Sequence, residues 1–169
     1  MFERYTETAR RAIFWSKQMA QQLGSPEIET EHLLLGLLRA DQPLAARFLG
    51  SPWAVEDVWR DVRKHHPERE SIPSPVDLPL SESSLHVLLA IPDEPSRSST
   101  RIGCEHLLLA LLRDKGCSAA RLLQKKGVML EVTADALALA PHDDSAPQRF
   151  TRDQAPEFQE TRWMFDSTV

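Results

Sequence analysis

Apolar positions along the chain recur at helical rather than alternating spacing. From Thr6 to Leu23 the small or apolar residues Ala9, Ala12, Ile13, Ser16, Ala20 and Leu23 fall three and four apart, which predicts one buried helical face. Thr6 is placed to accept from the free N–H groups of the first turn, and Gly24 supplies the left-handed stop. A second helix is expected from Thr30 to about Ala40, with Thr30 as N-cap and Leu33, Leu34, Leu37 and Leu38 as a wide apolar stripe. "DQPLAARFLG" restarts as a third, with Pro43 near its first position and Gly50 past its end. Val55, Val58, Trp59 and Val62 define a fourth, which frays at "KHHPE".

The second half reads in the same way. Ser81 opens a helix carrying Leu85, Leu88 and Leu89 on one face, and Pro92 and Pro95 stop it early. After the polar loop "EPSRSSTRIG" come the helix "CEHLLLALLR", a helix near Ser118 to Lys126 ended by Gly127, and a last one from about Leu130 to Leu139. No convincing period of two appears anywhere, so the fold class is all-α.

The halves also share their wording. "TEHLLLGLLRADQPLAARFL" begins at Thr30, and "CEHLLLALLRDKGCSAARLL" begins seventy-four residues later at Cys104. Glu31 falls on Glu105, His32 on His106, Arg39 on Arg113, and Ala45, Ala46 and Arg47 on Ala119, Ala120 and Arg121. A period this long indicates two copies of a multi-helix module rather than a solenoid, hence a pseudo-twofold bundle of about eight helices. Copy one is assigned to residues 1–66 and copy two to 81–140. Four prolines set among Glu, Ser and Asp between Pro67 and Pro79 make 67–80 the exposed connector. Residues 141–169 hold three prolines and six acids against three arginines and read as an acidic, partly disordered tail. The spacing of Phe158, Arg162 and Phe165 offers a short docking helix as the alternative.

Composition narrows the function by exclusion. A net charge of −5 gives no field that would draw nucleic acid, so no nucleic-acid partner is expected. No apolar run reaches the roughly 18 residues of a membrane span, and the N-terminus lacks the apolar core of a signal peptide, so the expectation is a cytoplasmic protein without a membrane partner. The chain contains no G-x-x-x-x-G-K-[ST], G-x-G-x-x-G, G-x-S-x-G or H-E-x-x-H, so neither a nucleotide nor any other cofactor is expected, and no catalytic residue is assigned. In "CEH" the cysteine and histidine stand two apart on a helix and point to different sides, which argues against a nucleophilic pair. Cys104 and Cys117 read as small buried hydrophobes, and His32, His65, His66 and His106 as solvated or capping residues, because no pair shows metal-ligand spacing.

The repeated glutamates carry the remaining chemistry. Glu31 and Glu105 each follow the expected N-cap of an apolar helix, where a carboxylate gains about 0.3–1 kcal/mol from the helix dipole, and stability alone accounts for them. The functional reading is that two acids at equivalent positions each receive a guanidinium or ammonium group from a partner.

Taken with "MFERYTETARRAI", "IETEHLLLGLLR" and "IGCEHLLLALLR", the stretch from Met1 to Ala140 resembles the Clp N-terminal repeat domain that precedes the ATPase modules of ClpA- and ClpC-type unfoldases. The resemblance implies a non-catalytic module that binds protein or peptide partners: an adaptor, a marked substrate or the unfoldase itself. In ClpC-type members the glutamate of each T-E-H motif holds the guanidinium of phosphorylated arginine, which carries that role over to Glu31 and Glu105, with Arg4 and Thr6 as phosphate neighbours in the first copy. Copy two departs from the pattern at Cys104, Leu85 and Pro92. With no ATPase module before Val169, the expectation is a stand-alone protein acting in trans. The alternatives are a fragment of a full-length Clp ATPase and a divergent interaction module whose partner lies outside Clp proteolysis.

Overall fold

The computed structural model describes residues 2–51, 54–91 and 101–138, so the tail with Phe158, Arg162 and Phe165, and the two prolines at 92 and 95, lie outside the described residues. Eight helices appear among these residues: α1 (Glu7–Gln22), α2 (Thr30–Ala40), α3 (Gln42–Leu49), α4 (Ala54–His65), α5 (Glu82–Ala90), α6 (Cys104–Arg113), α7 (Ser118–Lys125) and α8 (Leu130–Ala138). They form a pseudo-twofold pair of four-helix units, α1–α4 and α5–α8.

Helix ends sit where the chain chemistry sets them. Thr6 Oγ1 accepts the Ala9 N–H at 3.2 Å and Ser81 Oγ accepts the Ser84 N–H at 3.2 Å, so the opening helix of each copy is capped in the same way. Asp41 caps α3 through Leu44, and Gly50 beyond that helix adopts φ 73°, which only glycine reaches without strain.

The repeated helices α2 and α6 are the centre of the core. Leu33, Leu34, Leu35, Leu37 and Leu38 of α2 and Leu107, Leu108, Leu111 and Leu112 of α6 are all buried, each contributing about 1.5–3 kcal/mol over exposure. Helix α1 covers α2 with a face of small residues, Ala9, Ala12, Ser16 and Ala20, which lets the two backbones come unusually close at Gly36. In α5 the inward face is Ser84, Val87, Leu88 and Ile91; Leu85 and Leu89 point outward instead of joining Leu88. The helix is short and only one stripe of it meets the core.

The copies are tied together by an exchange of extended segments. Thr6 N–H donates to the Ile102 carbonyl at 2.9 Å and Ile102 N–H to the Arg4 carbonyl at 2.8 Å, a parallel bridge between Tyr5 and Ile102. The mirror arrangement joins Ile28 to Leu80, through Ile28 N–H to Pro79 and Ser81 N–H to Ile28. The residues leading into each copy's first helix therefore pair with the approach to the other copy's T-E-H or C-E-H helix. Arg47 to the Ala136 carbonyl at 2.7 Å and Lys126 to Asp61 at 3.1 Å add side-chain ties between copies.

The connector is held down at several points. Gln21 is buried; its side-chain NH₂ donates to the carbonyls of Ser74 and Val76 at 3.2 and 2.8 Å, and its main-chain carbonyl accepts from Ile72 N–H. Gln21→Ala is expected to cost about 1–2 kcal/mol and to speed amide exchange at Ile72 and Val76 while the α2 core stays protected. Unchanged exchange at both amides would show that the connector keeps its path without this side chain.

Candidate functional site

The two E-H motifs start their helices by a shared device that uses the histidine. The residue before each helix is extended, Glu29 at φ −88°, ψ 171° and Gly103 at φ −97°, ψ 179°. Its backbone N–H donates to a ring nitrogen three residues on: Glu29 to His32 Nδ1 at 2.9 Å and Gly103 to His106 Nδ1 at 3.0 Å. Thr30 is therefore the first helical residue and Glu29 the N-cap, a correction of the expected Thr30 cap, and in copy two the cap is Gly103 rather than Cys104. The Thr30 hydroxyl faces copy two and accepts the Ala119 N–H at 3.4 Å. A threonine cap would have accepted an N–H of the first turn; the histidine instead accepts the N–H of the cap residue itself, the reciprocal half of a capping box.

The acids following these caps have unequal surroundings. Glu31 is buried at 7% exposure, and its Oε1 lies 3.0 Å from His66 Nε2 at the end of α4. A carboxylate only accepts, so the ring nitrogen is the donor. Burial alone would raise the Glu31 pKa, but backbone N–H groups, the Glu29 side chain, His32 and His66 together hold it below its ordinary value. Glu29 takes the opposite shift: burial first, then Glu31, push it up to about 7. Fully buried His32 is lowered to about 4, chiefly by burial. One ligand atom each from Glu29, Glu31 and His66 falls within 4.8 Å of the other two.

Glu105 is more open, with 33% of its side chain exposed. Its carboxylate folds back over Gly103, filling the space that a side chain there would need. His106 Nδ1 lies 3.2 Å from it but already accepts the Gly103 N–H, so this approach is proximity and not an ion pair. Asp41 at the end of α2 is also within its field; burial raises the Asp41 pKa and the Glu105 charge adds to the rise.

Arg4 and Thr6 are on the copy-two side of the molecule. They flank Tyr5, whose bridge partner Ile102 is three residues ahead of Glu105. Helices α1 and α2, joined by the short segment 23–29, run antiparallel with Ala12 and Ser16 against Gly36, so Thr6 and Glu31, on opposite sides of that crossing, are about 20 Å apart along the pair at 1.5 Å per residue. The expected pairing of Arg4 and Thr6 with Glu31 in the first copy is thus corrected: the exchange of leading segments sets them beside Glu105.

Cys104 is buried beneath this second site, and burial, with Asp41 and Glu105 adding, raises its thiol well above the ordinary value, so it is no nucleophile near neutral pH. The part of the arrangement missed by sequence reasoning is Glu29 and His66. Two acids two residues apart at a helix start gave a usable signal for Glu29; His66, far along the chain, gave none.

The model of the Clp repeat (R) N-terminal domain matches residues 4–126. The chain belongs to this family. Among curated relatives, this Clp repeat domain is 33% identical over 132 residues to the ClpA homologue ATP-binding subunit of the ATP-dependent Clp protease of Cyanidium caldarium, covering 77% of the chain and 15% of that protein. It is 33% identical over 138 residues to the chaperone protein ClpB of Oceanobacillus iheyensis, covering 77% and 16%. It therefore spans about one sixth of the length of these relatives. The N-terminal domain of ClpD from Arabidopsis thaliana superposes with a TM-score of 0.65 at 32% identity over 80% of this chain and 96% of that one. The Hsp104 N-terminal domain from Candida albicans, at TM-score 0.61 and 20% identity over 79% and 88%, shares the fold. Among the described residues no helix is long and apolar enough to cross a membrane.

Proposed function

We propose that this Clp repeat domain is a non-catalytic recognition module that binds protein or peptide partners through cationic groups, and that Glu105 is the more accessible of its two duplicated acids. The observation carrying this reading is the asymmetry of the duplicated acids: Glu105 is partly exposed, and the segment with Arg4 and Thr6 pairs with the backbone leading to it, whereas Glu31 is buried against His66. A phosphoarginine side chain combines a guanidinium with a phosphate, and a carboxylate with an arginine and a helix N-terminus nearby is complementary to both ends. At the Glu31 site a guanidinium would have to displace His66 first. Adaptors and marked substrates of Clp proteolysis are the partner classes that family membership supports. Recruitment would serve a Clp ATPase either in trans or as part of the same chain, and a partner outside Clp proteolysis is the second reading.

The test is calorimetric titration with free phosphoarginine, with arginine and phosphoserine as controls. Wild type is expected to bind phosphoarginine above both controls, and Glu105→Gln to weaken it by at least about tenfold, the value of one charge-assisted hydrogen bond. Glu31→Gln is expected to change it less than threefold. Equal binding by wild type and Glu105→Gln would remove Glu105 from the site, and no binding by wild type would remove the marked-arginine reading.

A further inference from the structure

We propose that Glu29, Glu31 and His66 form a binding site for a first-row divalent transition metal, with zinc the ion that fits best, clasping the start of α2 to the end of α4. This inference goes beyond the recognition role and does not rest on it.

The geometry comes first. One ligand atom from each residue lies within 4.8 Å of the other two, and Glu31 Oε1 is 3.0 Å from His66 Nε2. Zinc bonds of about 2.0–2.2 Å to nitrogen and oxygen place neighbouring ligand atoms a little over 3 Å apart, so small side-chain adjustments close the shell. The donor types then select the ion. Two carboxylates and an imidazole suit zinc and its neighbours, whereas calcium and magnesium take oxygen shells. To ligate the ion, His66 takes the neutral tautomer with its one ring proton on Nδ1, and Nε2 gives up its hydrogen bond to Glu31 and offers its lone pair instead.

Two further observations point to a guest at this place. Glu31 Oε2 is buried without a hydrogen-bonding partner, and so is Nε2 of His32, a residue with no exposure at all whose ring is 5.4 Å from that of His66. His32 Nδ1 accepts the Glu29 N–H, so the ring proton is on Nε2. That nitrogen cannot be a ligand, but it can donate to a water or anion completing the coordination, the supporting contact that metal sites draw from their surroundings. Buried Glu31, with the half-buried Glu29 carboxylate close by, is suited to a divalent cation that neutralises both.

The duplication supplies an internal control. At the position matching Glu29, copy two has Gly103, so the counterpart of the Glu29 ligand is missing there and the donor set is not repeated.

Chelator-treated protein without an affinity tag is titrated with Co(II) and then Zn(II). One Co(II) per chain is expected, with the visible absorption of a low-symmetry four- or five-coordinate site, bleached by one equivalent of Zn(II). Glu29→Gln and His66→Ala, on different elements, should each weaken Zn(II) by at least about tenfold and remove the thermal shift that Zn(II) gives wild type. Glu105→Gln should bind Zn(II) as wild type does. Circular dichroism confirms that each variant is folded; if one is not, the other decides. Zn(II) affinity unchanged in the folded variants, or no saturable binding by wild type, overturns the proposal. Phosphoarginine titration of the Zn(II)-loaded protein keeps the two readings separate, since loss at Glu105 and loss at Glu29 and His66 are independent results.

Discussion

Gly36→Val is expected to destabilise the protein by about 3 kcal/mol or more, the upper part of the range for overpacking, and to lower its melting temperature by about 6–12 °C. A Cβ at position 36 would run into the Ala12 carbonyl oxygen and the Ser16 backbone and hydroxyl on α1. These are largely main-chain atoms inside a helix, which cannot swing aside as the end of a long side chain would, so relief requires α1 to move off α2 along the Ala9, Ala12 and Ser16 face. The equivalent position in copy two is Ala110, which already carries a Cβ and is buried. Ala110→Gly is accordingly expected to cost only about 1 kcal/mol, the helical penalty of glycine. Urea unfolding followed by circular dichroism gives both values. A Gly36→Val protein within 1 kcal/mol of wild type would mean that the helices are not packed backbone to backbone at this point.

The second large effect is on acid stability, measured with chelator present so that no metal intervenes. His32 is held neutral in the fold with its pKa lowered to about 4, while the unfolded chain takes up a proton near 6.5. Between those values the unfolded state binds more protons, so stability is present above pH 6.5 and is lost as pH falls towards 4, in total about 3 kcal/mol. The mechanism is local, because a proton on Nδ1 ends its acceptance of the Glu29 N–H and with it the start of α2. Glu29 works in the other direction. Raised to about 7, it is protonated in the fold where the unfolded chain is ionised, so its contribution is present at low pH and is lost as pH rises from about 4.5 through 7. Glu29 is the more exposed of the two and solvent screening weakens its share, so wild type is expected to lose stability between pH 6.5 and 4.5. Glu29→Gln, without the opposing group, should lose it more steeply. A His32 ring that titrates above pH 6 by NMR, or parallel stability profiles for the two proteins, would contradict this account.

Helix number and position were legible in the sequence because their ends are marked by local chemistry: Thr6 and Ser81 as caps, Pro43 at the start of α3, and glycines at 24, 50 and 127 in left-handed turns. The duplication was legible for a simpler reason, since the leucine-rich helices repeat almost letter for letter. What was not legible depends on tertiary neighbours. Thr30 looks like a cap by residue type, yet the extended cap residue is Glu29, whose N–H is taken by His32, while the Thr30 hydroxyl accepts from Ala119 in the other copy. Leu85 and Leu89 look like core partners of Leu88 by spacing, but α5 meets the core along the stripe through Ser84, Val87 and Ile91. Arg4 and Thr6 are near Glu31 in sequence order and beside Glu105 in space, because the pairing with Ile102 carries them across. His66 reaches Glu31 only through the return of α4, which no spacing along the chain encodes.

That crossing of leading strands makes the halves mutually dependent. Each lends the other the strip of backbone that fixes the approach to its E-H helix, which is the relation between protomers that have swapped an element, here carried within one polypeptide. A single unit cut out at the connector would keep its four helices but leave Ile28 or Ile102 with unanswered main-chain groups, and it would be driven to find them in a second molecule. Joining the two units in tandem turns that encounter into an intramolecular one and frees the divergent acids, Glu31 enclosed and Glu105 open, to take separate tasks.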